Sequence, residues 1–188
     1  MKNIFFIDGP QMSGKSTLIE FLEKTTKGLV YKFDFSEFFK NFNLDKSKDI
    51  WGFQIGKDFA ILSLLEKINS NQKIFIDRGP FSSIYYSLLF NRQKEEIVLK
   101  YFDYLKKYKF SYIFILPLNR KKMKRVKKDG FDGLDEDYNK EIIEKINKIS
   151  KDKEIKFKVF YNDFSKSIEE NGKKLKEIIE DEHFGNTN

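Results

Sequence analysis

The sequence predicts an α/β fold, a parallel five-stranded sheet with helices on both faces, and three observations carry that prediction. Apolar runs of strand length occur at residues 3–7, 29–33, 73–76, 111–116 and 156–161, each separated from the next by helical periodicity. Their continuity is the pattern of strands covered on both sides, as in parallel sheets. The first run leads directly into a Gly-bounded loop and an amphipathic segment, Phe5 through Thr17. The third ends Ile74-Phe75-Ile76-Asp77-Arg78, and so delivers a carboxylate and a guanidinium to the carboxyl edge of the sheet, where ligands bind in open α/β folds.

The elements follow in order. After the first strand, Leu18, Ile19, Phe21 and Leu22 give residues 14–24 an apolar helical face. Helices are expected at 50–69, between the second and third strands, and at 81–91 and 95–108, before the fourth. Val98, Tyr101, Phe102, Leu105 and Tyr108 form the core-facing stripe of the last of these. Residues 120–128 and 136–150 read as helices flanking the charged turn Asp129-Gly130-Phe131-Asp132-Gly133, and 172–182 as the final helix. There is no internal repeat or long linker. The expected organisation is one domain over 1–183 and a frayed tail at 184–188.

Composition narrows the function classes. A chain of 188 residues with 40% apolar content can bury the core of a soluble domain. Its opening apolar run is too short for a signal peptide, and no later run approaches a membrane span, so a cytoplasmic protein is expected. With no Cys, disulfides and thiolate metal sites are excluded. The net charge of +7 comes almost wholly from Lys, with Arg only at 78, 92, 120 and 125. Abundant Lys, Asn, Ile and Phe accompany AT-rich coding, so the charge is weak evidence for nucleic acid and nucleic acid is not expected as a partner. It does favour phosphorylated small molecules. His183, the single histidine, falls near the tail and is read as a surface residue.

Gly9 through Ser16 fits G-x-x-x-x-G-K-[ST] without a gap. Backbone N–H groups of Gly9, Gln11, Met12, Ser13 and Gly14 would converge on the phosphates of ATP, and the following helix start, with Thr17, adds partial positive charge. Lys15 would reach the β and γ oxygens, and Ser16 with Asp77 would hold Mg²⁺. Arg78 can grip a phosphate or carboxylate bidentately. The plainer readings are a chance turn and a strand-ending Asp-Arg that solvates its loop. The loop interior, Pro10-Gln11-Met12-Ser13, holds no basic residue. Charge for the transferred phosphoryl group is therefore expected from the Lys- and Arg-rich stretch 120–128.

Phe6 through Thr17 and Asp77-Arg78-Gly79-Pro80-Phe81-Ser82-Ser83-Ile84-Tyr85-Tyr86 resemble the P-loop and D-R-x-x-x-S-S-x-x-Y segments of thymidylate kinases. Asp8 stands where that family usually has Glu, and Met12 where it has Gly. Residues 116–130 resemble its strand, helix and basic lid, and Val159 through Glu170 its last strand and adenine-side loop. The resemblance implies a three-layer P-loop kinase fold with strand order 2-3-1-4-5 and a lid at about 119–134. It further implies Arg125, with Lys127 and Arg120, as lid cations, Asn162 on the adenine side, Ser82 and Tyr86 at the acceptor, and a homodimer.

Two departures bear on the acceptor. An R-E-P-type turn is replaced by Lys32-Phe33-Asp34-Phe35-Ser36, and Lys57-Asp58-Phe59 lacks the Arg of the family's D-R pair. Trp51-Gly52-Phe53-Gln54 instead resembles the W-x-x-x-F-Q stretch of deoxynucleoside kinases, with shortened spacing. There Gln54 would read the base, Phe53 would stack on it, and Asp34 would take the proton of a sugar hydroxyl. With a phosphate acceptor, Asp34 would be a Mg²⁺ or sugar contact. The leading expectation is thymidylate-kinase-like transfer from ATP to a deoxynucleoside monophosphate, with transfer to a deoxynucleoside as the alternative. A polynucleotide 5′-end kinase rests only on the positive charge. A nucleotide-dependent switch lacks its guanine reader, because Asn139-Lys140-Glu141-Ile142 has the wrong fourth residue for N-K-x-D.

Overall fold

A computed structural model describes residues 3–10, 12–32, 50–68, 71–91, 93–119 and 136–181. Five strands, β1 (Ile4–Asp8), β2 (Leu29–Lys32), β3 (Ile74–Asp77), β4 (Ser111–Leu118) and β5 (Phe157–Asp163), form one sheet in the order β2-β3-β1-β4-β5. All pairings are parallel, with Phe6 opposite Ile76 on one side and Tyr112 on the other. Six helices are described: α1 (Lys15–Thr26), α2 (Ile50–Lys67), α3 (Pro80–Leu89), α4 (Glu95–Leu105), α5 (Glu136–Asp152) and α6 (Ile168–Glu180).

The two-residue period of the strands divides the core. Ile4 and Phe6 of β1 face one cluster with Ile74, Ile76, Tyr112 and Phe114, covered by α2, α3, α4 and α5. Phe5 and Ile7 face the other, with Phe75, Ile113 and Ile115, covered by α1 and α6. Every side chain of β1 is buried, so the loop that follows starts from a fixed point.

Boundaries depart from expectation where tertiary contacts extend an element. Asp8 and Asp77 lie inside their strands, and β4 runs two residues further because Pro117 and Leu118 pair with Asn162 and Asp163. Past Phe114 that strand is paired only with β5, a setting in which a proline is tolerated. α4 stops at Leu105, three residues early. The largest correction is α6, which begins at Ile168 and not at 172. Ser167 caps it, with its hydroxyl accepting from the Glu170 N–H at 3.1 Å while Glu170 accepts from the Ser167 N–H at 2.8 Å. Gly172 lies within this helix because an added Cβ would meet the Phe21 ring of α1 at 2.4 Å. The helix expected at 120–128, the lid and the tail lie outside the described residues.

Candidate active site

The loop between β1 and α1 is held from two sides. Gly9 has φ +152°, and a Cβ there would sit 2.5 Å from the Ile115 carbonyl oxygen, so the loop is pressed against the β4 backbone. At its other end Gly14 has φ +78°, and a Cβ would lie 2.2 Å from Asn162 Nδ2. That amide, buried at the end of β5, donates to the Ser13 carbonyl at 2.8 Å. Asn162 therefore braces the loop from beneath, a placement that the adenine-side expectation did not include. Gly14 is also the N-cap of α1; it supplies no capping side chain, and the first turn holds no acidic residue. The first turn's N–H groups thus present an uncontested anion-binding end. Ser16 and Thr17 are exposed there, Ser13 is buried and Met12, at φ +60°, is half-buried.

Because β3 lies beside β1, Asp77 meets the helix that follows the loop. Lys15 Nζ donates to Asp77 Oδ1, and Ser16 Oγ lies 3.5 Å from Asp77 Oδ2. Burial pushes the Lys15 ammonium below the usual lysine value, the Asp77 carboxylate pulls it back, and the nearby Arg78 charge adds to the lowering. The Ser16–Asp77 pair fits Mg²⁺: cis ligands in its octahedral shell stand about 3 Å apart, only a few tenths of an ångström less than this separation. Among the described residues no group of three His, Cys, Asp or Glu side chains assembles a cation site, so water and phosphate would complete the shell.

Arg78 follows Asp77 at φ +70°, with its N–H donating to the Ile7 carbonyl at 3.1 Å. The next residues bind a side chain not foreseen as part of the site. Asp8 Oδ1 accepts from the Gly79 N–H at 2.7 Å, the Ser82 N–H at 3.2 Å and the Ser82 hydroxyl at 2.6 Å. It caps α3 from another element, since Gly79, the N-cap, has no side chain. The Ser82 hydroxyl, expected at the acceptor, donates its hydrogen bond to this carboxylate and is buried. Burial pushes the Asp8 carboxyl above its ordinary value, against the pull of the Ser82 and Gly79 hydrogen bonds.

A second buried acid lies one helix away. Asp58 of α2 accepts from Ser83 Oγ at 2.7 Å and from the Tyr101 hydroxyl at 2.9 Å, and its other oxygen lies 3.0 Å from Lys57 Nζ. The pair read from sequence only as an incomplete D-R motif thus fastens α2 to α3 and α4. Gln54, one turn earlier, is half-buried, and its Oε1 has no hydrogen-bond partner among the described residues. Tyr86 is nearly buried, edge-on to Tyr85 at 5.1 Å and stacked with Phe90 at 6.1 Å. Asp34, Gln11, Arg120, Arg125 and Lys127 lie outside the described residues, as does the Phe53 side chain.

A Gly-bounded loop between β1 and α1, a carboxylate at the end of the adjacent β3 and the order β2-β3-β1-β4-β5 define a P-loop kinase fold. Solved structures share it. Thymidylate kinase from Candida albicans superposes with a TM-score of 0.64 at 17% identity, covering 97% of this chain and 93% of that one. Deoxyadenosine kinase from M. mycoides with bound dATP gives 0.58 at 19%, covering 92% and 97%. YorR from Bacillus subtilis, in complex with phosphorylated GDP, gives 0.52 at 20%, covering 96% and 97%. No family model matches the sequence, and no curated protein does either.

Proposed function

We propose that this protein transfers the γ-phosphoryl group of ATP, with Mg²⁺, to a deoxynucleoside monophosphate, as a thymidylate kinase does. The observation that carries the reading is the meeting of Lys15 and Ser16, from the loop and α1, with Asp77 from the neighbouring strand. Backbone N–H groups of Gly9 and of residues 11–17 would bind the triphosphate, with Gln11 and Met12 lining the loop. Lys15 would leave Asp77 for the β and γ oxygens when ATP enters, exchanging one anionic partner for another. Ser16 and Asp77 would hold Mg²⁺, which would supply charge neutralisation for the phosphates. Arg78 would orient the acceptor phosphate or the γ-phosphoryl group, and Arg125, with Lys127 and Arg120, would bring the remaining positive charge. Asp34 and Phe53 would contact the acceptor nucleoside.

Transfer to a deoxynucleoside is the second reading, and Gln54 favours it. A half-buried amide whose Oε1 lacks a partner among the described residues is suited to reading a base edge. Asp34 would then take the 5′-hydroxyl proton. Both readings place a small nucleotide or nucleoside in a cytoplasmic reaction. Among the described residues no helix is long and apolar enough to cross a membrane.

Incubation with γ-labelled ATP, Mg²⁺ and a panel of deoxynucleosides and their monophosphates separates the two. Label on a diphosphate product, dTMP first, is expected; label on a monophosphate product selects the second reading. Transfer to no member of the panel refutes both. Lys15→Ala is expected to lower turnover at least about 100-fold while the protein stays folded.

A further inference from the structure

We infer that Asp8 is a positioning residue, one that fixes the Asp77-Arg78 turn against the phosphate loop by capping α3 from the end of β1. Three consecutive residues of β1 template this turn. The Phe6 ring seats Gly79 so closely that a Cβ there would come within 2.2 Å of it. The Ile7 carbonyl receives the Arg78 N–H at 3.1 Å, and the Asp8 carboxylate receives the Gly79 N–H at 2.7 Å and both Ser82 donors. The residue after Asp8 is Gly9, the first of the loop. One side chain therefore joins the two halves of the site at their roots, across 71 positions of sequence.

Backbone strain shows why the tie is needed. Arg78 adopts φ +70°, a left-handed conformation that is unfavourable for a residue with a Cβ. Such a conformation persists only where its surroundings over-determine it. Here the N–H groups on either side of the Arg78 Cα, its own and that of Gly79, are both held by β1. Releasing the second lets the turn relax and moves the guanidinium relative to Lys15 and Ser16. Asp8 does this with one oxygen; Oδ2 is buried with no hydrogen-bond partner among the described residues, and so the charge is not what the tie uses. An acceptor at the Oδ1 position is sufficient.

The test compares Asp8→Ala and Asp8→Leu, which remove the acceptor, with Asp8→Asn, which keeps it. Its kinetic arm rests on the proposed phosphoryl transfer; amide hydrogen exchange at Gly79 and Ser82 reads the tie with or without activity. Expected for Asp8→Ala and Asp8→Leu are a kcat about 10–100-fold lower, an ATP KM within about threefold, and faster exchange at Gly79 and Ser82. Asp8→Asn should keep kcat within about threefold and retain the protection, as a conservative rescue. A folded Asp8→Ala or Asp8→Leu with unchanged kcat overturns the inference, and so does an Asp8→Asn that loses as much as they do. Should neither apolar variant fold, Ser82→Ala, which takes one donor from the same oxygen, is expected to speed exchange at Gly79; unchanged exchange there overturns it. A wild-type protein that transfers nothing refutes the proposed function instead.

Discussion

Replacing Gly79 by alanine is expected to destabilise the protein, whereas the same change at Gly56 stabilises it. At Gly79 the added carbon would stand 2.2 Å from Phe6 Cδ1 and 2.9 Å from Cε1, against an ordinary carbon–carbon contact of about 3.5–4.0 Å. Neither partner can withdraw by the required distance. Phe6 has no exposed surface and is stacked on Tyr112 at 5.3 Å, with Phe110 at 5.8 Å. Gly79 is held by Asp8 on one side and followed by Pro80. Its φ of −142° suits alanine, so the cost is steric alone. Overpacking of this kind costs about 1–3 kcal/mol, partly offset by about 0.4–1 kcal/mol from the stiffer unfolded chain. For a chain of this size a loss of about 1–2 kcal/mol lowers Tm by roughly 2–8 °C. Gly56 lies exposed inside α2 with nothing among the described residues within 4 Å of a Cβ, so alanine gains about 0.5–1 kcal/mol of helix propensity and Tm rises by roughly 1–4 °C. Calorimetric melts of both variants beside the wild type decide the matter. A Gly79→Ala Tm at or above wild type would refute the packing argument, since the Gly56 variant controls for the chemistry of the change.

Two further outcomes follow from the same site. Asn162→Ala removes the donor to the Ser13 carbonyl, which should weaken ATP binding about tenfold, equivalent to about 1.4 kcal/mol; an unchanged Kd in a fluorescent-nucleotide titration counts against Asn162 as the brace of the loop. Asp8→Asn should alter the pH dependence of stability. The folded-state pKa of Asp8 is raised by burial and by Asp58 of α2, against Ser82 and Gly79 of α3 and Lys57 of α2; Tyr112, Tyr101 and Lys15 also feel its charge. A raised carboxyl contributes stability below its unfolded value, near 3.8, and loses it as pH rises through the folded value. The variant lacks that loss, so its Tm relative to wild type should climb above about pH 4 and then level off. A difference that stays constant from pH 4 to 8 would contradict the raised value.

The parts legible in the sequence were those whose signal is local. Continuous apolar runs announced the strands, and Gly9 to Ser16 announced a phosphate loop. An Asp at the end of the third run was enough to put a carboxylate at the sheet edge, and the structure pairs it with Lys15. The start of α6 was missed although its signal is local: Ser167-x-x-Glu170 is a capping box, yet Gly172 reads as a helix boundary unless one knows that Phe21 packs against it. Asp8 and Asp58 were not legible in the same sense. Each is one acidic residue in an apolar neighbourhood, and each acquires its meaning from donors on a helix that only the tertiary fold brings near. Tyr86, which a resemblance places at the acceptor, is nearly buried and packs on Tyr85 and Phe90, contacts that no local pattern announced.

The two holds on the phosphate loop, the Ile115 carbonyl and Asn162, both come from β4 and β5, whereas the Asp77-Arg78 turn belongs to β3 on the opposite side of β1. The loop proposed to hold ATP and the turn that carries Arg78 are thus anchored to different flanks of the sheet, joined where Asp77 meets Lys15. Under the proposed function, replacements along α2, away from the Asp8 cap on α3, would reshape what receives the phosphate without loosening the loop that delivers it. A scaffold divided in this way can drift among recipients over evolutionary time while its fuel stays the same.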